Sequence, residues 1–595
     1  MHFQRQRTEG SRQKSESRSQ RSEVSGRKSE VRGQSFCFLL SVLLGLTFVS
    51  GCSKTPNTDL RTPTSDLSSS RSTPTPLAPD SVLRVHWVGK QTLGVAASAY
   101  TLMRLWNLPE ARQLERQLLE KFATAPGRLL TNGTAQNAST TLAPMLYDVI
   151  NEESCLEIRQ ATGQPEQLAF AIRLDKIHAQ DWHKGMADVI SATEGGYPSR
   201  RAGGWSLISP RTQTTYELMR VGDWVVFGAA RGTNALLQEI VARIGREQVP
   251  FTVTTTNHWL TVEADLRWVA QKIGLTAGRP LTPTLSPSEG ARETELPRLS
   301  MVITGDGANA VTTGELVFAK PLALNLEPWN FPKRLVQGPV VGFAAVRGLD
   351  PWLTESKTWG EFKLGSAPNQ IFTWSEARAP MQIHLAAPSD SAAAITKALG
   401  EGFASRVNAW LTEHALGSIT RWPDTTGLVW KDLPMIAPYL TATNTGWLSG
   451  GTTPSLLPEV SSPVIYPRPS VTELLADIAS RTNLVAYEWE TTGARAESVH
   501  ILGQLLRAIT RHPQLPANTG SSIWLQAARN RLGNCTTTVT LTGSNRLAFE
   551  RKSTTGFNAL ELHVLADWME SPEFPRGFYS TLSPVGPALT PNTKP

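Results

Sequence analysis

From Ser81 onward, alternating and helical-period hydrophobic positions divide the chain into short strands and amphipathic helices. Val82-Leu83-Arg84-Val85-His86-Trp87-Val88 reads as a strand. Pro109 to Ala123 reads as a helix, with Pro109 in its first turn and Ala111, Leu114, Leu118 and Phe122 along one face. Leu142 to Asn151 is a second helix, and the polar stretch Asn132 to Thr141 joins the two as a loop.

From Gln167 a series of elements appears and then recurs. The strand Leu168–Leu174 and a helix near Trp182 to Ala192 answer to the strand Met381–Ala386 and a helix over Ser391 to Leu399. A strand pair ending Gly222-Asp223-Trp224-Val225-Val226-Phe227-Gly228, then a helix through Leu236 to Ile244, answers to Gly446-Trp447-Leu448-Ser449-Gly450-Gly451 and Leu456-Leu457. A strand with acidic residues leading into a helix, Leu260 to Ile273, answers to Leu484 to Ile509. A hairpin over Leu299 to Phe318, turning near Gly305-Asp306-Gly307, answers to Thr536 to Leu562, turning near Gly543-Ser544-Asn545. Four elements in the same order predict an internal duplication, with Trp224 matching Trp447 and Glu263 matching Glu488.

The expected organisation is therefore α+β: two tandem, similar domains, each a mainly antiparallel sheet with helices packed on it. The first spans 81–335, interrupted by a Pro- and Ser-rich loop insertion at 276–297, and the second spans 336–575. Residues 576–595 form a Pro- and Thr-rich tail that we expect to be disordered.

The N-terminal region carries an address. Phe36 to Val49 is an apolar run of signal-peptide length, preceded by Arg27, Lys28 and Arg32 and followed by Ser50 and Gly51. It is shorter than the roughly 20 apolar residues a membrane-spanning helix needs. Val49-Ser50-Gly51-Cys52 resembles the lipobox of bacterial lipoproteins. That resemblance implies cleavage before Cys52, a diacylglycerol on its sulfur and an acyl group on its new amine. Two or more acyl chains hold a protein firmly to a bilayer. Residues 1–51 are then a polar leader plus signal peptide, and 52–80 a lipidated cysteine and a Ser/Thr/Pro tether. The leader is long for a signal, which suggests that translation begins later, for example at a codon for Val31. Ser53 is not the Asp that retains many such proteins at the inner membrane, so the resemblance favours the outer membrane.

Charge changes little once the leader is set aside. The chain has 595 residues and a net charge of +7, but residues 1–51 hold 9 of the 58 Lys/Arg and only 4 of the 51 Asp/Glu. The remainder, 49 basic and 47 acidic residues, is nearly neutral. Nucleic acid is not an expected partner. The membrane, reached through the lipid anchor, is. Four cysteines do not make a disulfide scaffold, and Cys155 and Cys535, in different proposed domains, are expected to be unpaired.

Chemical signals are sparse. The sequence has no His-Glu-x-x-His, no Cys-x-x-Cys and no Gly-x-Ser-x-Gly, and we expect neither a metal nor another cofactor. Gly89-Lys90-Gln91 lacks the rest of a phosphate loop, and His178 and His183 fall on different faces of a helix. The 18 Trp are read mainly as packing residues, with Trp352, Trp359 and Trp422 nearer to loops. The candidate catalytic residues are paired strand carboxylates, Glu263 with Asp265 and Glu488 with Glu490. Two residues apart in a strand, each pair faces one side, where it would suit general acid–base chemistry, cation binding or simply a solvated face.

Leu156-Glu157-Ile158-Arg159-Gln160-Ala161-Thr162 running on to Leu168–Asp175, and Ala566-Asp567-Trp568-Met569-Glu570-Ser571-Pro572-Glu573-Phe574-Pro575, resemble an uncharacterised family of large exported bacterial proteins. This implies export and carries no site residues. The function expected from the sequence is a lipid-anchored cell-envelope protein with a non-catalytic binding or scaffolding role. The alternatives are an envelope hydrolase using the strand carboxylates and a lipid carrier built around a closed apolar cavity.

Overall fold

The computed structural model describes residues 75, 77–572, 574 and 579, apart from 131–135, 254–256, 273–295, 337–338, 357–358, 361, 363, 377–381, 423–425, 434, 454–468 and 511–514. The signal-like stretch, Cys52, most of the tether and insertion, and Leu456-Leu457 lie outside the described residues.

The first half runs β1 (Ser81–Trp87), α1 (Lys90–Val95), α2 (Tyr100–Trp106), α3 (Pro109–Leu130), α4 (Gln136–Asn151), β2 (Ser154–Arg159), β3 (Gln167–Arg173) and α5 (Lys176–Glu194). It continues through β4 (Ser199–Arg201), β5 (Gly204–Ile208), β6 (Thr214–Val221), β7 (Trp224–Arg231), α6 (Ala235–Glu247), β8 (Leu260–Asp265), α7 (Leu266–Lys272), β9 (Arg298–Gly305) and β10 (Ala310–Val317). The helix starts are chemical. Asp175 accepts hydrogen bonds from the backbone of Ile177 and His178 to open α5, and Asn234 accepts from Leu237 to open α6.

The second half runs β11 (Val340–Arg347), α8 (Asp350–Glu355), β12 (Gln370–Glu376), β13 (Ile383–Pro388), α9 (Ala392–Ala398), α10 (Ser405–Glu413), β14 (Ser418–Arg421), β15 (Leu428–Lys431), β16 (Tyr439–Ala442) and β17 (Trp447–Gly451). It closes with α11 (Val471–Ala479), β18 (Leu484–Thr491), α12 (Thr492–Thr510), α13 (Gly520–Arg529), β19 (Asn534–Gly543), β20 (Arg546–Ser553) and α14 (Ala559–Met569). The hairpin expected over Thr536 to Leu562 thus ends at Ser553, and its last residues already belong to α14.

The strands of the described residues form one antiparallel sheet of 20 strands. From one edge the pairings run β4-β5-β6-β7-β3-β2-β1-β8-β9-β10. The seam β10–β20 follows, and then β19-β18-β11-β12-β13-β17-β16-β15-β14. Adding ten to each strand number of the first half reproduces the order of the second half, read outward from the seam. Trp224 and Trp447 hold the same place in it. Each begins its strand, opposite Arg173 or Pro388 at the end of the neighbouring strand.

Helices cover both faces. Under α3, α4 and α5, one face of β1, β2, β3 and β7 buries Leu83, Val85, Ile158, Phe170 and Phe227 with Phe122 and Trp182. Under α6 the opposite face buries Ala169, Ala171, Trp224 and Val226. In the second half α11 covers Phe343, Phe372, Trp447 and Trp489, and α9 covers Ala387 and Leu448.

The ends of the chain cross these boundaries. Met569 and Phe574 sit in the core of the first half, and Phe574 lies edge-on to Phe122 with centroids 4.6 Å apart. Trp329 and Phe331, before β11, pack into the core of the second half. Thr75 and Asp80, counted with the tether on sequence, are fastened to the body. The Thr75 N–H donates to the Thr252 carbonyl at 3.0 Å, and the Asp80 carbonyl accepts from Gln160 at 2.9 Å.

Candidate functional site

The two carboxylate pairs lie on opposite faces of the sheet. Cross-strand partners share a face, so the register can be followed across the seam from Glu263 through Ser300, Glu315, Ala548 and Thr540. Thr540 shares its face with Thr538 and Thr536, which stand opposite Tyr487 and Trp489. Glu488 and Glu490 point the other way. The expected match of Glu263 with Glu488 is therefore corrected: a one-residue offset in a strand reverses the face. Nor is either pair a solvated row. Glu263 is ion-paired to Arg84 at 3.5 Å, and Asp265 accepts hydrogen bonds from the backbone of Arg267 and Trp268 at the start of α7.

Glu488 and Glu490 meet the N-terminus of α14. The Ala559 N–H donates to Glu490 Oε1 at 2.8 Å, and Asn558 Nδ2 donates to Glu488 Oε1 at 3.1 Å. Asn558 also caps the helix reciprocally with Glu561, whose carboxylate takes a further bond from Arg551. Carboxylates at this end offset orphan N–H groups and the positive end of the helix dipole. Glu490 is 5% exposed, and burial pushes its carboxyl up to about 7, helped by Glu488 and opposed by the Ala559 N–H and Arg495. A carboxyl near 7 suits general acid–base work, but this one is covered by the helix it anchors.

The other face holds a charged ladder that sequence reading missed. Glu157, with no exposed surface, accepts from Arg84 Nε and Nη2 at 3.2 Å and from Arg159 Nε at 2.6 Å. Arg159 reaches Glu239 on α6, and Glu239 also takes Arg243. Arg84 and Arg243 both lie against the Phe251 ring, at 4.8 and 5.6 Å. The available signal was alternation: Arg84 and His86 interrupt an otherwise apolar strand.

His86 joins a second chain. Its Nε2 meets Glu153 Oε1 at 3.0 Å, and its Nδ1 meets His258 Nε2 at 2.9 Å. Burial opposes ionisation of Glu153, yet the hydrogen bond and charge of His86 hold its carboxyl below the usual range. Lys90, from the discarded phosphate-loop fragment, is buried against Glu115 at 3.1 Å and lies over the Trp106 ring. His178 and His183 both lie on α5, and His178 pairs with Asp175. Among the described residues no cluster of three or more His, Cys, Asp or Glu is arranged to hold a metal ion.

Cys155 and Cys535 are free, buried thiols. Burial raises Cys155 well above its usual range and pushes Cys535 up to about 12, so neither is an activated nucleophile. Trp352 is 66% exposed, whereas the Trp359 indole donates to the Gly365 carbonyl and Trp422 packs edge-on to Tyr439. No helix among the described residues is long and apolar enough to cross a membrane.

Comparison with known proteins finds no match to any family model, curated protein or solved structure.

Proposed function

We propose that the chain is a lipid-anchored protein of the bacterial cell envelope, favouring the outer membrane, whose body binds or scaffolds rather than catalyses. The order of apolar run, Ser50-Gly51, Cys52 and Ser/Thr/Pro tether carries this reading. It is supported by the fate of the four strand carboxylates, which are engaged with Arg84 and with the starts of α7 and α14. Palmitate labelling of wild type and Cys52→Ala tests the anchor: label in wild type and none in the variant is expected, and equal label in both would sink the reading.

We also propose that the body arose by tandem duplication. The equal strand order and the shared place of Trp224 and Trp447 support it. So does the two-fold character of the seam, where Ala310 and Arg546, the first residues of β10 and β20, stand opposite Ser553 and Val317, the last residues of the partner strands. A crystal structure in which residues 81–317 and 340–553, superimposed by coordinates alone, separate Trp224 from Trp447 would refute it.

A further inference from the structure

Beyond the anchor, the fold forms a groove where α1 and α2 meet the end of α13. It encloses about 710 Å³, within the range of small-molecule sites. Leu93 and Leu105, both buried, line its apolar part, while Val95 is 89% and Tyr100 61% exposed at its edge. Large apolar side chains this exposed at a concave site mark a binding surface.

The polar lining has one sign. Arg104 lies over the Tyr100 ring at 5.6 Å, and Arg531 donates to the Ala527 carbonyl at 2.9 Å. Among the described residues no Asp or Glu lines the groove, and neither guanidinium forms an ion pair with a carboxylate. An arginine keeps its charge at any physiological pH and matches a carboxylate or phosphate with two parallel hydrogen bonds. Apolar contacts beside two such cations fit a molecule with an alkyl tail and an anionic head.

We propose that this groove binds a single-chain anionic amphiphile, tail along the exposed Val95 and Tyr100 side chains and head between Arg104 and Arg531. The groove is open along one side, unlike the closed cavity of a lipid carrier. The proposal holds whether or not Cys52 is acylated, so its failure and that of the anchor are separately visible.

The test uses the chain from residue 52 onward carrying Cys52→Ala, which keeps every described element and has no acyl group of its own. Calorimetric titration with laurate below its micelle threshold is compared with 1-dodecanol and dodecyltrimethylammonium. Saturable one-to-one binding is expected for laurate, at least tenfold tighter than for the cationic amphiphile. Affinity should rise about fourfold per methylene from octanoate to laurate. R104E/R531E should weaken laurate at least tenfold with unchanged thermal unfolding, since both side chains are exposed. Gly94→Leu blocks the groove sterically. A Cβ there meets only the Met103 methyl, at 4.0 Å, so the variant should fold and lose laurate and dodecanol alike. Equal binding of anion and cation, no saturable binding because another segment fills the groove, or unchanged affinity in either variant would each overturn the proposal.

Discussion

The backbone N–H of Ala559 donates to the buried carboxylate of Glu490 at 2.8 Å, tying the first turn of α14 to the middle of the sheet. Burial makes this tie pH-dependent. Glu490 is raised from 4.5 to about 7 in the folded chain, so between these values the folded state holds a proton that the unfolded state has released. Its contribution is complete below pH 4.5 and is lost as pH rises through 7, an effect on the order of 3 kcal/mol. The stability difference between wild type and Glu490→Gln, measured by urea unfolding, should shift by that order across the window. A difference independent of pH would contradict the assignment.

His563 acts in the opposite direction. Burial, then the charge of Arg507 and the neighbouring His500, lower it from 6.5 to about 4. The unfolded chain therefore takes up a proton first, and stability present above pH 6.5 is lost as pH falls through 4, again on the order of 3 kcal/mol. The two groups oppose each other between about pH 4.5 and 6.5. His563→Gln should lose the acid-side decline and leave the Glu490 slope visible; an NMR titration placing His563 near 6.5 would refute the basis.

The Arg84–Glu157 pair lies between β1 and β2 with almost no solvent contact. Removing one partner of a buried pair leaves the other uncompensated and typically costs about 3–5 kcal/mol. Glu157→Ala should lower the urea midpoint accordingly. R84M/E157L, which removes both charges from the pair, should recover much of the loss. A Glu157→Ala chain within about 1 kcal/mol of wild type would mean that water or Glu263, 3.5 Å from Arg84, already satisfies the remaining guanidinium.

The seam can be tested at Gly314, which stands opposite Phe549. A Cβ at 314 would lie 2.4 Å from Phe549 Cζ and 2.5 Å from the Ser300 carbonyl oxygen. Gly314→Val should cost about 1–3 kcal/mol through overpacking. Adding Phe549→Ala should relieve only the aromatic part of the clash. Thermal unfolding of both variants checks this, and an undiminished melting temperature for Gly314→Val would argue against the β10–β20 pairing.

Local chemistry made many elements legible. Strands such as 81–87 and 224–231 announce themselves by β-branched and aromatic runs, and α3 by its Leu114, Leu118 and Phe122 stripe. The antiparallel α+β class could be read because it depends on periodicity within ten or twenty residues. The exact face of a residue could not. Glu263 and Glu488 each sit in an acidic strand leading to a helix, yet a single-residue offset sends them to opposite sides. His86, Glu153 and His258 likewise look unrelated in the chain.

By itself the sequence determined the short-range structure, because it is encoded in contiguous residues whose hydropathy and turn chemistry act locally. Only the tertiary structure decided that the two halves share one sheet, that Phe574 returns to the first core, and which carboxylates are buried. Those outcomes depend on strand register and on which surfaces meet. Contacts such as Arg84 with Glu157, or Phe122 with Phe574, join positions far apart in the chain, and no local pattern specifies them.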